Sequence, residues 1–202
     1  MVQPAPSPDT TLIVACGALA REVQAVVRAN GLEGRLELTC LPAALHNRPA
    51  EIPERLRQRL RTARAAGWRK IAVAYADCGT GGAIDRVCAE EGVERIGGPH
   101  CYAFFAGQGA FEALQEADPA TFYLTDFLAR HFERLVWQGL GLDRHPQLLP
   151  LYFGNYTRLI YLAQTDDAAL DAKAEAAAER LGLAYERHAT GYGELAQFIR
   201  AA

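Results

Sequence analysis

Three of the five cysteines lie beside turns that contain glycine, and these thiols are the first candidates for chemistry. Cys16 precedes Gly17, Cys78 precedes the run GTGG, and Cys101 follows the run GGPH. A deprotonated thiol is both a strong nucleophile and a ligand for zinc or iron. The position of these thiols in the fold therefore decides whether they act together.

The segments around these cysteines alternate between strand-like and helix-like patterns. Short apolar runs typical of buried strands cover residues 11–17, 35–41, 70–78 and 93–101, with amphipathic helical patterns between them. This alternation predicts an α/β fold, a doubly wound, mostly parallel sheet with helices on both faces. The C-terminal half is less regular, although an alanine-rich helix capped by Asp166 or Asp167 is well marked.

The length predicts one main folding unit. We expect a single α/β domain over residues 11–202, preceded by a flexible, proline-containing leader over residues 1–10. Half of the 202 residues are hydrophobic, which is enough to form a substantial core. The change in regularity along the chain leaves open a division into two lobes, residues 11–118 and 119–202.

The predicted sheet places the three cysteines at one edge. Loops at the carboxyl ends of parallel strands converge, and ligand sites form there. Cys16, Cys78 and Cys101 end the first, third and fourth predicted strands, so we expect all three sulfurs at this edge. Cys40 lies within an alternating strand and Cys88 on an apolar helix face, and we assign both to packing.

Two histidines are candidates for a fourth ligand beside the thiols. His46 lies in the loop after the second predicted strand, and His100 directly precedes Cys101. Three thiolates with one imidazole form a familiar tetrahedral zinc set, and iron or an iron–sulfur cluster uses the same sulfurs. The sequence therefore predicts a metal site built from Cys16, Cys78 and Cys101, with His46 or His100 as the fourth ligand.

The glycine turn after Cys78 is a second candidate for ligand binding. It lacks the lysine of a P-loop and the spacing of a dinucleotide-binding fingerprint. Backbone N–H groups of Gly79, Thr80 and Gly81 could still hold a carboxylate or phosphate at a helix start, with Arg48 as a charged partner. The same helix start would lower the pKa of Cys78 and activate its thiol as a nucleophile.

Charge and hydropathy exclude several classes of function. The formal net charge is -3 and the pI about 6.0, which does not favour binding to nucleic acid or to an anionic membrane surface. No apolar segment approaches the ~20 residues that span a bilayer, and the N-terminal residues lack the pattern of a secretory signal. We therefore expect a cytoplasmic protein whose cysteines stay reduced.

Four motifs, in this order, resemble those of the family called domain of unknown function 1638: LHNRPAEIPERL, YADCGTGG, GGPHCYAFFAGQ and TFYLTDF. The resemblance runs from about residue 11 to about residue 165 or beyond, nearly the whole chain. It implies that His46, Cys78 and Cys101 belong to one shared site. The third motif of that family reads His-Asp-Cys, whereas His100 and Cys101 are adjacent here. The resemblance also implies an association with corrinoid-dependent methyl transfer and other one-carbon systems.

Three hypotheses for function follow from these observations. The first is a metal–thiolate enzyme or accessory protein, whose metal activates a thiol or another small nucleophile for methyl or other group transfer. The second is a metal-free cysteine enzyme, such as a racemase or thiol transferase. The third is a non-catalytic binder or chaperone for a corrinoid or other cofactor. The partner would be a small molecule or a corrinoid-system protein, and a homo-oligomer is compatible with the sequence.

Overall fold

A computed structural model describes residues 7–202 of the chain. The chain divides into two compact units, one extending to Phe104 and including Glu194–Ala202, the other covering Phe105–Gly193. Residues 1–6 of the predicted leader lie outside the described residues. The predicted α/β fold is confirmed, because every named strand pair is parallel and helices connect the strands. The strands form two separate sheets where the sequence predicts one.

The elements follow one another with short connections. The strands are β1 (Thr11–Cys16), β2 (Leu36–Leu41), β3 (Lys70–Ala74), β4 (Glu94–Arg95), β5 (Thr121–Thr125), β6 (Arg158–Ala163) and β7 (Ala184–Ala189). The helices are α1 (Ala20–Ala29), α2 (Ile52–Ala65), α3 (Ala83–Glu90), α4 (Cys101–Ala106), α5 (Gln108–Ala117), α6 (Asp126–Phe132), α7 (Leu149–Phe153), α8 (Ala168–Leu181) and α9 (Gly193–Ala201). Two short 3-10 turns, Ala43–Asn47 and Pro49–Glu51, connect β2 to α2.

The first unit contains a parallel sheet in the order β2-β1-β3-β4. Alternate residues of β1 point to opposite faces: Leu12 and Val14 join the core beneath α2 and α3, while Ile13 lies on the side of α1. The helices that follow β1 and β3 therefore cover opposite faces of the sheet. In such sheets the loops diverge between these two strands and leave a crevice at their carboxyl ends, which is the usual place for a ligand.

Gly17 allows the chain to leave β1 close beside the end of β2. A Cβ atom at this position would lie 2.9 Å from the carbonyl oxygen of Leu41 and 3.1 Å from the backbone nitrogen of Ala43. Any larger residue would force these backbones apart. The glycine after Cys16 thus holds the loop that carries His46 next to the carboxyl end of β1.

The second unit contains a parallel sheet in the order β5-β6-β7. A buried polar network lies at its carboxyl edge, where the carboxylate of Asp126 follows β5 and is only 1% exposed. Its Oδ1 accepts hydrogen bonds from the hydroxyl of Tyr161 at 2.7 Å and the backbone N–H of Gln164 at 2.9 Å, and its Oδ2 accepts from the hydroxyl of Thr165 at 2.5 Å. The carboxylate ties the end of β5 to the end of β6.

The prediction of a fourth strand over residues 93–101 is wrong for most of that segment. β4 has only two residues, Glu94 and Arg95, which pair with β3. The chain then bends at Gly98, whose φ of +103° is unsuited to a strand, and Pro99 has no N–H to donate. Cys101 therefore begins helix α4 instead of ending a strand. The third strand is also shorter than predicted and ends at Ala74, before Cys78.

Candidate functional site

The register between β1 and β3 brings Cys16 and Tyr75 together. Ala15 of β1 pairs with Ala74, the last residue of β3, so Cys16 and the residue that follows β3, Tyr75, lie side by side on the same face. The buried side chain of Tyr75 lies close enough to Cys16 for hydrogen bonding from its hydroxyl to lower the pKa of the thiol. This contact places the first thiol in the crevice between the two strands.

Backbone hydrogen bonds bring the other two cysteines to the same edge. The N–H of Asp77 donates to the carbonyl oxygen of Gly98 at 3.1 Å, and that of Cys78 donates to Pro99 at 2.7 Å. The segment after β3 therefore runs alongside the segment before α4. The backbone N–H of Cys101 points at the sulfur of Cys78, which joins the two residues directly.

Burial raises the pKa of all three thiols. Desolvation is the largest cause in each case. The charge of Cys16 further raises the pKa of Cys78, to about 12, and the charges of Cys78 and Cys16 raise that of Cys101 well above 9.0. These effects agree with the strand register and the backbone bonds, which bring Cys16, Cys78 and Cys101 to one edge of the sheet, and the three residues are here called the thiol cluster.

Nearby backbone N–H groups act on each sulfur of the thiol cluster and lower its pKa. The N–H of Ala18 acts on Cys16, that of Cys101 acts on Cys78, and those of Cys101 and Tyr102 act on Cys101. Such hydrogen bonding lowers the thiol pKa, because it favours the thiolate over the neutral thiol. The backbone of the site is thus arranged to receive negative charge on sulfur.

Cys78 has a left-handed backbone conformation, with φ at +50°. Residues with a Cβ adopt this region at a cost of roughly 1–2 kcal/mol, and within residues 7–202 Cys78 is the only residue other than glycine that does so. The neighbouring Gly79, Gly81 and Gly82 also have positive φ, as glycine readily permits. A thiol side chain therefore occupies a position where glycine would be less strained, which is a common feature of functional sites.

We expect the metal-free Cys78→Gly variant to be more stable than Cys78→Ala by about 1 kcal/mol, because glycine removes the strain that alanine retains. Urea denaturation of the two variants measures the difference. The matched control is Cys16, where φ is -64° and the same comparison should reverse sign, since glycine there only adds freedom to the unfolded chain. Equal stability of the two Cys78 variants would contradict the expected strain.

The glycine turn after Cys78 binds a carboxylate of the chain itself. Asp77 accepts hydrogen bonds from the Thr80 hydroxyl at 2.6 Å, from the Gly81 N–H at 3.1 Å and from the Gly82 N–H at 2.8 Å. These bonds lower the pKa of Asp77 against the effect of its desolvation. The amides at the start of α3 are therefore engaged by Asp77, and the prediction that this helix start lowers the pKa of Cys78 is wrong.

The two histidines are exposed and lie near each other, and His100 directly precedes Cys101. Desolvation lowers the pKa of both rings, the neighbouring His100 lowers that of His46 further, and Asp77 has a smaller raising effect on His100. Arg48 is exposed and lies 3.5 Å from the carboxylate of Glu51. Arg48 also lines a groove between α2 and β2, so its guanidinium has an acidic neighbour within the loop.

The remaining cysteines are not part of the cluster, although burial and, to a smaller extent, the charge of Cys16 raise the pKa of Cys40 to about 11. Cys88 is buried in the core beneath α2 and α3. Cys40 is paired with Ala15 and so points to the opposite face of the sheet from Cys16. All five cysteines are free thiols. Across the part of the chain that the structure describes, no three histidine, cysteine, aspartate or glutamate side chains already stand in an arrangement that would hold a metal ion.

Comparison with protein families identifies the wider group to which the chain belongs. The model described as "Protein of unknown function (DUF1638)" matches residues 40–199, which is most of the chain. The chain is a member of the DUF1638 family. No curated protein and no solved structure shows significant similarity to it.

The match to the DUF1638 model includes His46, Cys78 and Cys101 but begins after Cys16. The thiol cluster of this DUF1638 protein thus combines residues inside the matched region with one on the strand that precedes it. No helix among residues 7–202 is both long and apolar enough to cross a membrane.

Sequence patterns missed three residues that surround the thiols in this DUF1638 protein. Tyr75 lies within a predicted apolar strand, where it looks like one more core residue. Its hydroxyl was the available signal, because a buried tyrosine hydroxyl generally needs a hydrogen-bond partner. Asp77 precedes a glycine-rich helix start, which is a common position for a side chain that binds free amides. Glu22 is buried on α1 and its charge raises the pKa of Cys16, but nothing in its helical pattern distinguishes it from a surface residue.

Proposed function

We propose that Cys16, Cys78 and Cys101 bind one thiophilic metal ion, with His46 or His100 as the fourth ligand. Zinc is the first choice, because three thiolates and an imidazole form one of its common tetrahedral sets. Iron, or an iron–sulfur cluster held by the same sulfurs, is the alternative metal. The proposal rests on the grouping of three partly buried thiols, the pKa of each of which burial raises and hydrogen bonding from nearby backbone N–H groups lowers.

The electrostatics of the thiol cluster support a cation at its centre. Desolvation and mutual repulsion keep the three thiols protonated in the metal-free protein, and Arg95 lowers the pKa of Cys78 only slightly. A divalent ion would supply the missing positive charge and replace the three thiol protons. The backbone N–H groups would then bond to metal-bound thiolates, which strengthens such a site from its second shell.

The wider role we propose is a metal–thiolate enzyme or accessory protein in corrinoid-dependent or other one-carbon methyl transfer. An open fourth position would let the metal act as a Lewis acid on a thiol or another small nucleophile. A reducing, cytoplasmic location fits the five free thiols. A non-catalytic corrinoid binder remains the second candidate from the family resemblance, and a cobalamin titration with no saturable spectral change argues against both corrinoid roles.

Metal analysis of the purified protein tests the proposal directly. We expect about one equivalent of zinc or iron in protein prepared without added metal. Cys16→Ala, Cys78→Gly and Cys101→Ala should each weaken metal affinity by at least about a hundredfold, because each removes a ligand. Cys40→Ala and Cys88→Ala are the matched controls and should retain the metal, because both thiols lie outside the cluster.

Cobalt(II) substitution separates the ligand set from adventitious binding. Thiolate ligation gives charge-transfer absorption in the near ultraviolet, which should decrease stepwise as the cluster cysteines are removed. Replacing the true fourth ligand, His46 or His100, should alter the visible bands of tetrahedral cobalt, and replacing the other should not. Less than about a tenth of an equivalent of metal, together with a triple-cysteine variant that binds cobalt like the wild type, would overturn the proposal.

A further inference from the structure

Strand β2 is an open edge of the first sheet. It pairs only with β1, and every one of its residues before Leu41 is at least partly exposed, whereas β1 and β3 are almost entirely buried. An edge strand presents backbone N–H and C=O groups that have no partner within the sheet. Here the exposed edge belongs to a strand of six residues, long enough to pair with another chain.

The register shows which backbone groups of β2 face outward. The N–H of Thr11 donates to the carbonyl oxygen of Arg35 at 2.9 Å, and alternate residues of a parallel strand bond to the same neighbour. Glu37 and Thr39 therefore bond to β1. Leu38 and Cys40 direct their N–H and C=O groups away from it, toward the open edge.

Two grooves flank this edge, one on each face of the sheet. The groove on the α2 side has a volume of about 940 Å³, and its lining includes Thr39, Leu41, Leu45, Arg55, Arg59 and Trp68. The groove on the α1 side has a volume of about 540 Å³, and its lining includes Ile13, Val23, Val27, Leu36 and Leu38. Because successive side chains of a strand point to opposite faces, a strand added to β2 would fill the two grooves alternately.

The α2 groove is positively charged where the edge is open. The arginines of α2 that face α3 pair with its neighbouring glutamates, as Arg57 does with Glu90 and Arg61 with Glu91. Arg64, in the last turn, donates to the carbonyl oxygens of the loop that follows the helix. Arg55 and Arg59 instead line the groove, and neither lies within ion-pair distance of a carboxylate in residues 7–202. Arg59 reaches the hydroxyl of Thr39 on β2.

The carboxylates that line the same groove do not neutralise it. Glu51 is paired with Arg48, which leaves the exposed Glu37 on β2 to oppose two unpaired arginines, Arg55 and Arg59. The α1 groove is lined by one basic residue, Arg28, and two acidic residues, Glu33 and again Glu37, and is otherwise mainly apolar. The charge of the α2 groove thus favours acidic side chains, and the α1 groove favours apolar ones.

We propose that β2 binds an extended acidic peptide as a fifth strand of the first sheet. Backbone hydrogen bonds to Leu38 and Cys40 would supply sequence-independent affinity. Acidic side chains at alternate positions would meet Arg55 and Arg59, and the intervening apolar side chains would enter the α1 groove. This site is independent of the metal proposed for the thiol cluster.

A second copy of the chain is a poorer occupant of the same edge. Two β2 strands related by a two-fold axis would place both α2 helices on one face of the joined sheet. Arg55 and Arg59 of one copy would then face their equivalents in the other, and like charges across an interface disfavour association.

Fluorescence anisotropy with labelled synthetic peptides tests this proposal. The probes are short peptides of alternating valine and glutamate, of alternating valine and lysine, and of valine and glutamate in separate blocks. We expect saturable binding of the alternating acidic peptide, at least about tenfold tighter than of the other two. Leu38→Pro should abolish binding without breaking a bond to β1, because it removes only an outward N–H.

Charge variants on α2 separate the groove from general electrostatic attraction. Arg55→Ala should weaken binding of the acidic peptide about three- to tenfold, while the matched Arg61→Ala, on the side of α3, should leave it unchanged. Equal binding of all three peptides, or unchanged binding by Leu38→Pro, would overturn the proposal. A dimer in light scattering that Leu38→Pro dissociates would also overturn it, because the edge would then belong to a second copy.

Discussion

Asp126→Ala should destabilise the second unit by about 4 kcal/mol, which is among the larger effects expected of any single substitution. The carboxylate is 1% exposed and accepts hydrogen bonds from Tyr161, Gln164 and Thr165. Removing it leaves the hydroxyl of Tyr161, itself fully buried, and the N–H of Gln164 without an acceptor. Each buried donor left unsatisfied costs about 1–3 kcal/mol, in addition to the lost charge-assisted bonds.

Two other substitutions test whether the loss of stability comes from the burial of the Asp126 carboxylate. Asp126→Asn keeps the shape and one acceptor oxygen, so its cost should be about half as large. Asp167 caps α8 through bonds to Ala169 and Leu170 but is exposed, so Asp167→Ala should cost only about 1 kcal/mol.

Fluorescence can follow the second unit by itself during urea unfolding. Trp137 lies in this unit with the guanidinium of Arg180 3.6 Å from its ring centroid, and a Trp68→Phe background removes the only other tryptophan. A loss for Asp126→Ala no larger than that for Asp167→Ala would show that the buried network contributes little to the stability of the unit.

The sequence predicts the strands better than it predicts how they assemble. Period and apolar content identify β1, β2 and β3, because each of these segments must bury side chains wherever it lies. Those patterns do not specify the neighbour of each strand. The fourth strand shows the reason: its apolar residues suggested a full strand, but Gly98 and Pro99 end it after Glu94 and Arg95.

The position of the thiols was partly predictable for the same reason. Cys16 ends β1, and Cys78 follows β3 across a short connection, so the rule of carboxyl strand ends applies to both. Cys101 does not end a strand. Backbone hydrogen bonds from Asp77 and Cys78 to Gly98 and Pro99 place the start of α4 beside the segment that carries Cys78. Pairing between two irregular segments leaves no periodic signal in a sequence.

The metal-binding hypothesis and the metal-free enzyme hypothesis differ in the thiol pKa that each requires before any metal binds. A metal-free nucleophile needs a lowered thiol pKa near neutral pH. In the thiol cluster, burial and neighbouring thiols raise the pKa of Cys78, and the helix start that would lower it is engaged by Asp77. A neutral, buried, hydrogen-bonded thiol is a poor nucleophile but can become a ligand when a cation displaces its proton.

Alkylation of Cys78 by iodoacetamide in the metal-free protein should therefore be at least about thirtyfold slower at neutral pH than in the urea-unfolded chain. A pKa of about 12 against the ordinary 9.0 lowers the thiolate fraction about a thousandfold. The greater nucleophilicity of a more basic thiolate restores part of this, about twenty- to thirtyfold. Peptide mapping by mass spectrometry gives the rate for each cysteine.

The pH dependence of that rate distinguishes the states of the site. Because the folded pKa of Cys78 is raised, its alkylation in the metal-free protein should increase about tenfold per pH unit from neutral pH to about pH 11, whereas in the unfolded chain the increase ends near pH 9. With zinc bound, the rate should stay low and change little with pH until a chelator removes the metal. Rapid labelling of Cys78 at neutral pH in chelated, folded protein would instead identify a low-pKa thiol and favour the metal-free enzyme.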